Sequence, residues 1–166
     1  MQNRTFYNEI LTEHNLHPEH KNKMIRPTAV MRGVNPSCGD DISLELEVKD
    51  GVIADGAFKG DGCAISQASA DMMLELVIGR PVDEALRLKD TFMKMIREGV
   101  SEEELEMLEE ASSLQDISHM PSRVKCAVLG WRTLEEILTA SPENGEDSGK
   151  SVTTENDGTG IPGKRE

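Results

Sequence analysis

Three cysteines stand in settings that suit chemistry: Cys38 in Asn35-Pro-Ser-Cys-Gly-Asp40, Cys63 in Gly60-Asp-Gly-Cys-Ala-Ile-Ser66, and Cys126 in Arg123-Val-Lys-Cys126. In the first stretch a thiol and the Asp40 carboxylate are two residues apart across a glycine, so a turn there can face both toward one point. An odd number of cysteines, with no charged-then-apolar leader in residues 1 to 30, argues against a disulfide framework. Three thiolates plus Asp40 instead supply four donors, the number that tetrahedral Zn²⁺ takes. Metal binding keeps such thiols deprotonated at neutral pH, and thiolate is the attacking species in sulfur exchange. The spacings are not those of a standard zinc finger. On this pattern a shared metal site stands beside the alternative of unrelated structural cysteines, the commoner setting for this residue type.

The elements that must position these groups are legible in the pattern around them. Residues 28 to 34 suit a strand leading into the Cys38 turn. From Asp41 onward Ile42, Leu44, Leu46 and Val48 alternate with Ser43, Glu45, Glu47 and Lys49, the period of a half-buried strand. Asp50-Gly51 is a hairpin signal, and Val52 to Phe58 returns as the partner strand. A three-stranded antiparallel sheet results. The outer ends of that hairpin carry Cys38 with Asp40 on one side and Gly60 to Cys63 on the other, so the two loops meet at one edge of the sheet.

Beyond Cys63 the apolar period becomes helical, with Ile65, Met72, Met73, Leu76 and Val77 inward, until Gly79 and Pro81. Cys63 therefore stands at a helix N-terminus, where main-chain N–H groups and the helix dipole favour thiolate. A second helix spans about Val82 to Glu98, burying Ala85, Leu88, Phe92, Met95 and Ile96. Ser101-Glu-Glu-Glu104 is a capping box opening a short acidic helix with Leu105 and Leu108. Pro121 starts the last long helix, whose stripe is Val124, Ala127, Val128, Trp131, Leu134 and Leu138. Cys126 lies about 200° from Val124 at 3.6 residues per turn, so it is expected off that stripe.

Near the N-terminus Phe6, Tyr7, Ile10 and Leu11 have helical spacing and predict a short packed helix ended by Asn15 and Pro18. His14, His17 and His20 recur at intervals of three. Pro18 and Asn15 break the helix that would align them, and a solvated polar linker is the expectation. Residues 141–166 are poor in large apolar side chains and rich in Gly, Ser, Thr and acids, which predicts a disordered acidic tail after a 1–140 domain.

The charge balance of 18 basic against 31 acidic residues, a net −13, argues against nucleic acid and anionic membrane as partners. No apolar run approaches the roughly 20 residues of a spanning helix. A reducing compartment, most simply the cytoplasm, is expected. Aromatic residues are scarce, so the nine methionines join Leu, Ile and Val in filling the core.

The strings Asn35-Pro-Ser-Cys-Gly-Asp-Asp41, Gly60-Asp-Gly-Cys-Ala-Ile-Ser66 with Gln-Ala-Ser-Ala-Asp-Met-Met73, and Arg123-Val-Lys-Cys-Ala-Val-Leu-Gly-Trp131 together resemble the IscU/NifU family of iron-sulfur assembly proteins, most nearly its SufU branch. The similarity runs in order from about residue 5 to 140. It implies an α+β fold, a three-stranded antiparallel sheet packed with about five helices, and a metal site of Cys38, Asp40, Cys63 and Cys126. Two features depart from the IscU scaffold: Lys125 precedes the third cysteine where the scaffold has histidine, and the segment between the second and third cysteines is longer. The Leu-Pro-Pro-Val-Lys chaperone motif is also replaced by Met120-Pro-Ser-Arg-Val-Lys125. These departures imply a zinc-bound sulfur-transfer protein that works with a pyridoxal-phosphate cysteine desulfurase and with downstream assembly proteins. A scaffold carrying a transient iron-sulfur cluster is the alternative. Cys38, on a glycine-flanked loop, is the expected sulfur acceptor, with Arg123 and Lys125 offsetting the negative charge of the site.

Overall fold

The computed structural model describes residues 9–24, 27–140 and 147–153, the last segment by its backbone. Helix α1, Glu9–Leu16, precedes strands β1, Ala29–Asn35, β2, Asp40–Lys49, and β3, Val52–Asp61. Helices α2, Ala64–Val77, α3, Val82–Arg97, and α4, Glu102–Met107, follow, then a 3₁₀ helix at Glu109–His119, α5 at Pro121–Thr139 and strand β4 at Asp147–Thr153. The three antiparallel strands and the helical segments on them agree with the α+β expectation.

The β2–β3 hairpin turns at Asp50 and Gly51, both with positive φ of 56° and 78°, the two-residue geometry that matches strand twist. Its alternation holds on the buried face, where Ile42, Leu44 and Leu46 are at most 1 % exposed. Glu45, expected to face water, is buried as well. Its carboxylate accepts the Met24 N–H at 2.8 Å and pairs with Lys59 at 3.4 Å, so the chain before β1 covers it while its charge stays satisfied.

Helices α2 and α5 cross closely, because Gly130 leaves room for Ala70, whose Cα would lie 3.4 Å from a Cβ at that position. The Trp131 ring stacks on Phe92 with centroids 4.3 Å apart, tying α5 to α3. The Trp131 indole N–H donates to Ser69 Oγ, which in turn donates to the Ala127 carbonyl. That satisfies the polar atoms enclosed between the helices. The helix-inward residues read from the sequence in α2 and α3 are all buried.

One segment of the tail adds to the three antiparallel strands: Asp147–Thr153 runs parallel to β1, pairing Gly33 with Val152 and Val34 with Thr153, so the sheet order is β3-β2-β1-β4. A sheet edge offers unpaired main-chain groups, and a polar segment can add to it without burying apolar side chains. The remaining tail residues, 141–146 and 154–166, lie outside the described residues. In α1, Leu11 is buried but Ile10 is 37 % exposed; Phe6 and Tyr7 lie outside the described residues. His14 is no linker residue, since α1 reaches Leu16 and buries it.

Candidate metal centre

The turn Pro36 to Gly39 joins β1 to β2, whose register pairs Asn35 with Asp40. Gly39 takes a φ of +75°, a left-handed conformation in which glycine carries no Cβ penalty. Cys38 sits in this turn, half-buried, its main-chain N–H donating to the Asn35 carbonyl at 3.3 Å. At the other end of the hairpin β3 pairs Asp61 with Asp41 and delivers the chain to Cys63. The meeting of the two loops inferred from the hairpin is therefore found.

Asp40 is fully buried, and both of its oxygens are held. Oδ1 accepts the Cys63 main-chain N–H at 2.8 Å and the Ser66 hydroxyl at 3.1 Å, while Oδ2 accepts the Asn35 amide at 2.9 Å. Such outer partners orient a ligating carboxylate. Gly62 makes the arrangement fit, because a Cβ there would stand 2.4 Å from Ser66 Oγ and 2.9 Å from Asp40 Oδ1.

Cys63 is the N-cap of α2, its sulfur accepting the Ser66 N–H at 3.4 Å. A hydrogen bond from the Cys126 thiol is the main cause that lowers the Cys63 pKa to about 6, aided by Ser66 and opposed by burial. The same bond holds the Cys126 thiol protonated and raises its pKa, with burial and Cys38 adding to the effect.

Cys126 is fully buried, which corrects its expected position away from the packed surface. Helix α5 is enclosed on most of its circumference, so the direction off its apolar stripe leads into the cysteine cluster. Its sulfur is 3.2 Å from that of Cys38 and 3.5 Å from the Asn35 amide nitrogen. Single donor atoms of Cys38, Asp40 and Cys126 all lie within 4.8 Å of one another, close enough to share one ion. Cys63, expected as a fourth donor, is not among these three close donors and is linked to them through its main-chain N–H on Asp40 and through the Cys126 thiol. A thiol-rich set with one pre-oriented carboxylate fits Zn²⁺, and it fits iron as well.

Arg123, one turn ahead of Cys126 on α5, places Nη1 3.9 Å from the Cys38 sulfur. Lys125 is half-buried on the same turn. Asn35 and Ser66 received no role from the sequence, although both belong to the quoted strings; only the strand register and the helix cap reveal that they hold Asp40.

Residues 6–140 match the NifU-like N terminal domain. The iron-sulfur cluster assembly scaffold protein IscU of Thermotoga maritima is 41 % identical over 133 residues, covering 80 % of this chain and 92 % of that protein. The zinc-dependent sulfurtransferase SufU of Bacillus subtilis is 33 % identical, covering 80 % and 88 %. A crystal structure of a putative SUF-system scaffold from Fervidobacterium islandicum superposes with a TM-score of 0.76 at 33 % identity, over 83 % of this chain and all of that one. The chain belongs to the NifU-like N-terminal domain family, alongside its IscU and SufU homologues.

Proposed function

We propose that the protein is a zinc-dependent sulfur-transfer protein, in which Cys38 accepts persulfide sulfur from a pyridoxal-phosphate cysteine desulfurase for iron-sulfur cluster assembly. The observation carrying this reading is the unequal anchoring of the thiols. Cys63 caps α2 and Cys126 is enclosed in α5, whereas Cys38 occupies a turn with a guanidinium 3.9 Å from its sulfur. A turn residue can reach a partner at smaller structural cost than a helix-bound one.

In the transfer the Cys38 thiolate attacks the outer sulfur of the desulfurase persulfide. A new S–S bond forms on Cys38 as the old one breaks, and the electron pair of the broken bond leaves with the desulfurase cysteine as thiolate. There is no net redox change; a thiol reductant later frees the sulfur as sulfide or passes it to downstream assembly proteins. Zinc, held by Cys38, Asp40, Cys63 and Cys126, would keep the thiols deprotonated. Arg123 and Lys125 would offset the charge of the thiolates during docking. Thiols used in this way need a reducing compartment such as the cytoplasm.

The scaffold reading is supported by the names of two relatives, the IscU proteins of Thermotoga maritima and Streptococcus pyogenes at 41 % and 38 % identity. The same thiols and carboxylate would then hold an iron-sulfur cluster. Sulfide production by a desulfurase, with and without this protein, separates the readings: stimulation that depends on Cys38 supports transfer. Unchanged turnover, together with a cluster assembled on the chain, would return the scaffold to first place.

A further inference from the structure

His14, Asp71, Glu75 and Glu110 form a second cluster, drawn from α1, α2 and the 3₁₀ helix. His14 is 7 % exposed and Asp71 1 %. Asp71 is fully committed: Oδ2 meets His14 Nδ1 at 2.6 Å, and Oδ1 accepts the His20 main-chain N–H at 2.8 Å. Asp71 on Nδ1 fixes the ring in place, and Nε2 is aimed at two half-exposed carboxylates. Glu110 lies 2.6 Å from that nitrogen and Glu75 3.5 Å. One imidazole thus faces three carboxylates, so even as imidazolium it leaves the group with a net charge of −2. A carboxylate behind a histidine whose other nitrogen faces outward is the arrangement that orients metal-ligating imidazoles.

We propose that His14, Glu75 and Glu110 form a second cation site, separate from the cysteine centre, for a first-row divalent ion of the Zn²⁺ class. One nitrogen and two carboxylate oxygens offer atoms within 4.8 Å of one another. That donor set suits such an ion with water completing its coordination. The ion takes the place of the Nε2 proton, draws in Glu75 and cancels the excess negative charge. His17 and His20 do not join it: the His17 side chain is 71 % exposed, and His20 contributes its main-chain N–H to Asp71. The three-residue histidine spacing is therefore not the basis of the site, whose acids lie far along the chain.

The test is equilibrium dialysis of the full chain against Zn²⁺ alone, comparing wild type with Glu75→Gln and with Glu75→Gln/Glu110→Gln, together with NMR of the histidine rings. The double variant is expected to hold one Zn²⁺ fewer than wild type, and Glu75→Gln to weaken that ion at least tenfold. In wild type the His14 ring signals shift on binding. Because the count is a difference between variants, it does not depend on what occupies the cysteine centre. Equal zinc content in all three proteins overturns the proposal, as does a shift confined to His17 or His119. Loss of zinc seen only in variants whose metal-free melting temperature has also collapsed counts against it too.

Discussion

Cys38 and Cys126 are 88 residues apart in the chain, and their sulfurs are 3.2 Å apart in the fold. The first belongs to a turn between two strands and the second to the enclosed start of a helix, so substitutions at the two positions should separate chemistry from folding.

At Cys38 the expected outcome concerns chemistry. Cys38→Ser abolishes stimulation of the desulfurase and carries no sulfur adduct in mass spectrometry, while its melting temperature stays within a few degrees of wild type. Full stimulation by this variant, or an adduct borne solely by Cys63 or Cys126, would remove Cys38 as acceptor.

For Cys63 and Cys126 the expectation is a coupled loss of metal and stability. Replacing either with Ser releases the bound zinc and lowers the melting temperature, since the binding energy of a structural ion is folding energy. Metal analysis and calorimetry on the purified variants decide it. Wild-type zinc content and wild-type stability in both would show that no ion is shared there.

Asn35→Ala tests the support of Asp40. Its amide is the partner of Oδ2, and leaving a buried carboxylate oxygen without it costs about 1–3 kcal/mol. Zinc affinity should fall roughly 10–100-fold, the usual effect of removing an outer partner. An unchanged affinity in competition with a chelating dye would mean that Asp40 does not hold the ion.

His14 makes stability depend on pH. The hydrogen bond to Asp71 is the largest cause raising its pKa from 6.5 to about 9, assisted by Glu110 and opposed by burial. A raised pKa means that the stabilisation is full below about pH 6.5 and is lost as pH rises through 9. Chelator-treated wild type should lose on the order of 2–3 kcal/mol over that window, and His14→Gln should not show this loss. Urea unfolding at pH 6.5, 8 and 9.5 gives the comparison; parallel curves for the two proteins would refute it.

A chain ending at Ala140 is expected to keep its metal and its fold, because the described core lies before that point. Without β4, the β1 amides that face it should exchange faster with solvent. Unaltered exchange at Arg32 to Val34 would show that the parallel pairing contributes nothing, and loss of metal would show that the tail supports the site.

Local rules carried the sequence reading furthest. Alternation placed Ile42, Leu44 and Leu46 inside, Asp50-Gly51 marked the turn, and Ser101 with Glu104 marked a cap that forms in full. Each depends on neighbours a few residues away. What escaped depends on distant partners. The burial of Cys126 follows from how α5 is enclosed, and the burial of His14 requires acids 57 and 96 residues away. The 3₁₀ helix after Glu109 was also hidden. Glu109 takes a φ of +52°, an uncommon conformation for a residue with a side chain, and nothing in its neighbours announces it.

The order in which the donors appear along the chain has a consequence for biosynthesis. Cys38, Asp40 and Cys63 emerge from the ribosome early, but Cys126 follows only after the whole of α2, α3, α4 and the 3₁₀ helix. Domains tend to fold as units during synthesis, so the centre closes late, on a nearly finished domain. Until then two reactive thiols are present without their third partner. A nascent chain that has not yet delivered Cys126 is thus denied the complete pocket, and metal loading becomes a checkpoint that only a copy translated past α5 can pass.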